Sequence, residues 1–122
     1  MAKTILAIYD DMTTLCVVRN LLHADGYDVI CVSSGREAMD VLADRKVDGV
    51  LTDYYIQGFD GDSIVACIYR SNLNIPTVVY AERISANHEA GVQCFGFVRK
   101  VLKNPCSEQR LMTAVREAFG VC

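Results

Sequence analysis

The stretch ILAIYDDMTT, residues 5–14, is a short apolar run that ends in two adjacent carboxylates, Asp10 and Asp11. Similar runs, rich in β-branched or aromatic residues, follow at residues 29–32, 47–51, 77–80 and 95–98. Several are continuous rather than alternating, which is typical of strands buried on both faces. The sequence therefore predicts a parallel sheet of five strands, the first at residues 5–9.

The segments between these runs have helical spacing. Ser34 and Glu37 have the spacing of a capping box, and Gly26 follows the first helix as a helix-ending glycine. The predicted inward-facing residues of the first, third and last helices are Leu15, Val18, Leu22, Ile64, Cys67, Ile68, Leu111, Val115 and Phe119. A short, polar helix is predicted at residues 84–90. The (βα)5 order predicts a three-layer, doubly wound α/β fold with strand order 2-1-3-4-5, whose ligands bind beyond the carboxyl ends of the strands.

Length and composition favour one domain, residues 1–122, in the cytoplasm. The chain has 122 residues and a net charge of −3, with no basic stripe for nucleic acid. It has neither a signal peptide nor an apolar run near the ~20 residues of a membrane span. The six cysteines lack metal-site spacing, so free buried thiols are expected.

Charged residues follow the predicted strands at the edge where ligands should bind. Asp10 and Asp11 follow the first, Asp53 the third, Ala81 and Glu82 the fourth, and Lys100 the fifth. Neighbouring carboxylates repel one another, and an oxygen-preferring cation such as Mg²⁺ relieves that conflict.

This pattern resembles the receiver domains of bacterial response regulators, over essentially the whole chain. The family pattern has an acidic pair after strand one (Asp10 and Asp11), an acceptor aspartate after strand three (Asp53), and a lysine after strand five, matched by Lys100. The turn IQGFDG follows the acceptor, with Gln57 where the family has proline.

The resemblance implies a function in two-component signalling, as a phospho-acceptor rather than an enzyme. A sensor histidine kinase or a phosphotransfer protein would phosphorylate Asp53, and the site would promote its own phosphorylation and dephosphorylation. Mg²⁺ would bind Asp11, Asp53 and the Tyr55 backbone carbonyl directly, and Asp10 through water, while Lys100 neutralises phosphoryl charge. A downstream effector or output domain and a homodimer are further possible partners; direct binding to nucleic acid or a membrane is not expected.

The positions that report phosphorylation depart from the family pattern. Ala81 replaces the hydroxyl residue after strand four, and Glu82 places a negative charge beside it. Phe97, three residues before Lys100, falls at the position of the switch aromatic. The segment from Ala81 to Lys100 is about three residues shorter than expected, which predicts a trimmed fourth helix. The alternative is thus a phosphorylation-independent pseudo-receiver that acts as a protein–protein interaction module.

Structural interpretations of these residues remain open. Asp11 or Thr13 can cap the first helix, and Asp60 suits a turn or a cap. The two histidines, His23 and His88, are expected to be solvated.

Two other classes fit the sequence poorly. A haloacid-dehalogenase-type phosphatase needs a second aspartate where Met12 stands, and the acidic pair would repel the phosphate of a flavodoxin cofactor. Tyr54 and Tyr55 are expected at the wall and rim of the site, and Arg99 and Lys103 as surface charges.

Overall fold

The apolar runs form one parallel sheet in the computed structural model, which describes residues 2–56, 63–71, 73–82, 84–103 and 106–120. The strands within those residues are β1 (Thr4–Ile8), β2 (Asp28–Val32), β3 (Gly49–Thr52), β4 (Thr77–Ala81) and β5 (Val98–Lys103). Their order is β2-β1-β3-β4-β5, and every neighbouring pair is parallel. The predicted doubly wound sheet is confirmed.

Helices cover both faces of this sheet. They are α1 (Met12–Ala24), α2 (Gly35–Asp44), α3 (Ile64–Arg70), α4 (Ala86–Gln93) and α5 (Glu108–Phe119). One buried cluster joins the sheet to α1 and α5, and the other joins it to α2, α3 and α4. All nine residues predicted to face inward on the first, third and last helices are buried.

Side-chain caps begin all five of these helices. The caps are Asp11, Ser34, Ser63, Ser85 and Ser107, and each accepts a backbone N–H from the first turn. The predicted pair at α2 is confirmed, because the Glu37 N–H donates to Ser34 Oγ at 3.2 Å. Gly26, at φ 94°, follows α1 as predicted. Each of these helices therefore begins with a side-chain hydrogen bond that satisfies one N–H of its first turn.

The carboxyl end of α5 is hydrogen-bonded to residues at the amino-terminal ends of β1 and β2. Lys3 Nζ donates to the Phe119 carbonyl at 2.5 Å, and the Tyr27 hydroxyl donates to the Gly120 carbonyl at 2.5 Å. The Phe119 ring packs so closely against Gly49 that a Cβ at position 49 would overlap it. These contacts hold the carboxyl end of α5 at the edge of the sheet that is remote from the acidic pair.

The prediction for the fifth strand was wrong. The apolar residues Phe95 and Phe97 lie in a turn before β5, where Val98 donates its N–H to the Phe95 carbonyl at 3.0 Å. The strand itself carries Arg99, Lys100 and Lys103. An edge strand tolerates such charges because one of its sides has no strand partner. The apolarity of the preceding turn instead reflects packing, since Phe97 is only 5% exposed.

The described cysteines are free, but they are not mostly buried. Cys67 is buried and Cys106 is half-buried, whereas Cys16, Cys31 and Cys94 are exposed. Burial was therefore the wrong expectation for those three, and Cys122 lies outside the described residues. Within the described part of the chain, no helix is long and apolar enough to cross a bilayer.

Candidate functional site

The strand register determines which residues meet at the carboxyl edge of the sheet. Ile8, Thr52, Val79 and Val101 form one row across β1, β3, β4 and β5. Asp53 is one residue beyond this row, while Asp10, Ala81 and Lys103 are each two residues beyond it. These four residues are called the rim below. The structure thus brings together Asp10, Asp53 and Ala81 as predicted, with a different lysine.

Asp53 is held at the rim by backbone contacts on both sides. Its N–H donates to the Ile8 carbonyl at 3.2 Å, and its own carbonyl accepts the Thr52 hydroxyl at 2.9 Å. The Tyr55 N–H points at Asp53 Oδ1 from 3.5 Å. The side chain is half-buried, so its carboxylate can reach an incoming group while its backbone stays fixed.

The surroundings of Asp53 oppose its ionisation. Burial raises the pKa of this carboxyl above its usual value, and the negative charges of Asp10 and Glu82 raise it further. The backbone N–H groups of Tyr54 and Tyr55 act in the opposite direction, by stabilising the charged form. A carboxylate in this position gains from a nearby cation.

Asp11 caps α1. Its Oδ1 accepts the Thr13 N–H at 3.2 Å, and its Oδ2 accepts the Thr14 hydroxyl at 2.7 Å. These bonds, the Thr14 hydroxyl first, lower the pKa of the exposed Asp11 carboxyl. The capping interpretation is confirmed, with Asp11 rather than Thr13 as the cap. Because its pKa is lowered, the Asp11 carboxylate stays negatively charged beside the rim.

The oxygen donors at and beside the rim fit a hard cation in their chemistry. Asp10, Asp11, Asp53 and the Tyr55 carbonyl supply only oxygen, which suits Mg²⁺. Among the described residues, however, no three or more Asp, Glu, His or Cys side chains are grouped closely enough to hold a metal ion. The oxygens of Asp11 face the first turn of α1 instead.

Lys100 does not lie at the rim. It pairs with Val78 in the middle of the sheet, and its Nζ forms an ion pair with Glu117 of α5 at 3.0 Å. Lys103 pairs with Ala81 and is the lysine at the carboxyl end of β5. The expected position of Lys100 was wrong because the fifth strand begins and ends later than the apolar run indicated.

An aromatic cluster, Tyr54, Tyr55 and His88, joins the rim to α4. The His88 ring stacks on Tyr54 with centroids 5.1 Å apart, and His88 Nδ1 is 3.3 Å from the Tyr55 hydroxyl. The two tyrosine rings meet edge to face at 4.8 Å. Tyr54 and Tyr55 lie beside the site as expected, and His88 is exposed as expected, although its ring also contacts both tyrosines.

A family model supplies the identity of this arrangement. The model of the response regulator receiver domain matches residues 5–116. The chain belongs to this family. Its members are the phospho-acceptor domains of two-component signalling, which is the predicted function.

Individual relatives agree with this assignment. This receiver domain is 26% identical to the sensor protein GacS of Pseudomonas syringae pv. syringae, over 98% of the chain and 14% of that protein. The chain spans between 14% and 38% of the length of the first curated relatives it matches.

Solved structures show the same fold. One is the signal receiver domain of an HD domain-containing protein from Pseudomonas fluorescens, with a TM-score of 0.85 and 22% identity, over 97% of this chain and 94% of that chain. Another is the signal receiver domain of a putative Luxo repressor protein from Vibrio parahaemolyticus, with a TM-score of 0.86 and 17% identity, over 98% and 91% of the two chains.

The register also corrects how the receiver pattern maps onto this chain. Lys103 is three residues after Lys100, which equals the apparent shortfall between Ala81 and the lysine. Helix α4 accordingly continues to Gln93, three residues beyond its predicted end. The position three residues before Lys103 is Lys100, so the aromatic expected there is replaced by a cation. The predicted trimming of α4 therefore depends on which of the two lysines is aligned with the receiver pattern.

Phe97 was wrongly assigned to the switch position. Its carbonyl accepts the Thr77 N–H at 2.8 Å, which places it at the amino-terminal end of β4 and β5, away from the rim. Its ring stacks on Phe95 with centroids 5.6 Å apart. Phe97 is therefore a core aromatic. Ala81 is fully buried and Glu82 is exposed.

Tyr9 is a neighbour of the site that sequence reasoning missed. Its buried hydroxyl donates to the Tyr80 carbonyl at 2.9 Å. Burial raises the pKa of this phenol well above its usual value, and the Asp53 charge raises it further. Its position in the run AIYDD, directly before the acidic pair, was the available signal. Gln57 and Asp60 lie outside the described residues.

Proposed function

We propose that this receiver domain accepts a phosphoryl group on Asp53. The observation that supports this most directly is the position of Asp53 itself, half-buried at the carboxyl end of β3, with Asp10 near enough for their charges to oppose each other. Oxygen nucleophiles of this kind form covalent intermediates when the charge on the incoming group is neutralised. The rim supplies groups of both signs for that purpose.

The donor is the phosphohistidine of a sensor kinase or a phosphotransfer protein. An Asp53 oxygen forms the new O–P bond as the P–N bond to the donor imidazole breaks, and the imidazole nitrogen keeps the bonding electron pair and takes a proton. The transition state is loose, so positioning and charge neutralisation account for most of the catalysis. The domain acts as a signalling acceptor whose site also promotes hydrolysis of its own aspartyl phosphate.

Mg²⁺ is the proposed cofactor. The residues that would hold it are Asp11, Asp53 and the Tyr55 backbone carbonyl directly, with Asp10 through water. When bound, Mg²⁺ would neutralise charge on the phosphoryl oxygens. The negative charges of Asp10, Asp53 and Glu82 repel one another, and this supports the assignment because a bound cation would reduce the repulsion.

Lys103 is the proposed ammonium of the site, in place of Lys100. It is exposed at the rim, in register with Ala81. The Lys100 ammonium is already paired with the Glu117 carboxylate. A compact ammonium at the end of a flexible stem can follow the phosphoryl oxygens as the bond to the donor breaks.

The proposed partners are a kinase or phosphotransfer protein upstream and an effector or output domain downstream, in the cytoplasm. The phosphodonor experiment comes first: Mg²⁺ and a small phosphodonor should add one phosphate, seen in the intact-protein mass. Asp53→Asn should abolish the addition. Asp44→Asn, at the exposed end of α2, is the matched control and should not change it. An unmodified wild-type chain would overturn the proposal.

A second candidate is binding that does not depend on phosphate. It is favoured by Ala81, which is fully buried and has no hydroxyl to follow a phosphoryl group, and by the negative charge of Glu82. In this case partner affinity stays the same in Asp53→Asn. A large loss of affinity in that variant would rule it out.

A further inference from the structure

The loop after β3 and helix α4 are connected by side chains that no receiver pattern requires. We infer that His88 is a positioning residue: it holds Tyr55 so that the Tyr55 carbonyl faces the cation, and it transmits occupancy of Asp53 to α4. This inference rests on the proposed function, because it concerns the same cation and the same aspartate.

The contacts form a continuous path from the carboxylate to the helix. Asp53 Oδ1 faces the Tyr55 N–H at 3.5 Å, and the Tyr55 hydroxyl meets His88 Nδ1 at 3.3 Å. The Tyr55 and His88 rings lie 5.9 Å apart at 67°. Tyr54 supports both rings, stacking on His88 at an interplanar angle of 27°. A backbone shift at Tyr55 therefore moves a ring that is in contact with α4.

Helix α4 buries few of its side chains. Of its eight residues, Val92 is the one that is buried. The exposed ring contacts of His88 with Tyr54 and Tyr55 are a second attachment of this helix, besides Val92. A cleft of about 290 Å³ lies between α3 and α4, lined in part by Tyr54, Ala66, His88 and Val92. The cleft leaves α4 room to move when the aromatic contacts change.

The usual reporting positions offer no alternative path in this chain. Ala81 has no hydroxyl, and Lys100, three residues before Lys103, is held by Glu117 against α5. A signal from Asp53 that passes through the Tyr55–His88 contact requires neither Ala81 nor Lys100. Because coupling between two sites is reciprocal, a change at His88 must also change cation affinity at Asp53.

The experiment uses the fact that the chain has two histidines. His23 is exposed at the end of α1, so its ring signals serve as the internal reference in ¹H–¹³C NMR spectra. The wild type is titrated with Mg²⁺ and then phosphorylated with a small phosphodonor. We expect the His88 signals to shift at both steps and the His23 signals to stay in place.

Three variants separate positioning from general stability. His88→Ala should raise the Mg²⁺ concentration for half-saturation about fivefold, the effect expected from losing one aromatic pair. His88→Gln, which keeps a polar side chain able to reach the Tyr55 hydroxyl, should recover part of that affinity. Asn87→Ala, on the same turn of α4 and without a ring contact, is the control and should bind Mg²⁺ as the wild type does.

The outcomes separate the two proposals. If the wild type binds Mg²⁺ and takes phosphate while the His88 signals do not move, the inference fails and the proposed function stands. The inference also fails if His88→Ala and Asn87→Ala bind Mg²⁺ equally well. A wild type that takes no phosphate overturns both. Loss of affinity in His88→Ala alone, with the His88 shift in the wild type, supports the path through Tyr55.

Discussion

The most discriminating prediction concerns which lysine neutralises the phosphoryl group. We expect Lys103→Met to slow phosphorylation of Asp53 strongly and Lys100→Met to slow it much less. Lys103 lies at the rim, and Lys100 is three residues back along the same strand, paired with Val78. Three strand residues span about 10 Å, which is too far for one ammonium to replace the other.

The expected size follows from that separation. With an effective dielectric constant of about 20, an ammonium about 4 Å from a phosphoryl oxygen contributes about 4 kcal/mol, and one about 11 Å away contributes about 1.5 kcal/mol. The difference of about 2.5 kcal/mol predicts that Lys103→Met reacts roughly 70-fold more slowly than Lys100→Met. Lys100 and Glu117 are 41% and 57% exposed, so losing their ion pair should cost less than about 1 kcal/mol of stability.

The assay measures the initial rate of phosphate incorporation from a small phosphodonor at saturating Mg²⁺, by intact-protein mass. Circular dichroism and a urea unfolding curve confirm that both variants are folded. The reasoning about the register is refuted if Lys100→Met slows the reaction as much as Lys103→Met does, or more.

Three further predictions concern the stability of the domain. The Arg116 guanidinium donates to Asp25 at 2.7 and 2.9 Å and lowers the pKa of that carboxyl. Arg116→Gln should therefore lower the urea midpoint at neutral pH. The difference from the wild type should vanish as the pH falls through the folded-state pKa of Asp25, because the protonated carboxyl loses the interaction. Gly49→Ala should cost about 1–3 kcal/mol in a thermal melt by overpacking against Phe119, and Gly49→Ala combined with Phe119→Leu should cost less than the two changes separately. Ser85→Ala removes the cap of α4 and should cost about 1 kcal/mol, seen as faster amide exchange in that helix rather than in α5.

The sequence was sufficient for most of the sheet because its three central strands, β1, β3 and β4, are buried on both faces. Residues 77–80 form a continuous apolar run, and all of β4 is buried. Apolar runs do not identify β5, because this edge strand has one strand neighbour and carries Arg99 and Lys100. The apolar residues beside it, Phe95 and Phe97, pack in the core without belonging to the strand.

The candidate site was predictable to the extent that it follows from strand ends. Asp10 and Asp53 are placed by the rule that parallel strands present their carboxyl ends at one edge, and the structure agrees. The contact between Tyr55 and His88 joins residues 33 apart in sequence, and that of Tyr9 with the Tyr80 carbonyl joins residues 71 apart. Periodicity in a single sequence carries no information about such pairs.

If Asp11 binds Mg²⁺ as proposed, it links metal affinity to folding. Both of its oxygens already hold the first turn of α1, through Thr13 and Thr14. A cation drawing on the same carboxylate competes with those bonds, so occupancy of the site and fraying of α1 become parts of one equilibrium. Under that proposal Thr14, whose hydroxyl donates to Asp11 Oδ2, would set how readily the ion is bound: a weaker cap releases a ligand, and a stronger one withholds it.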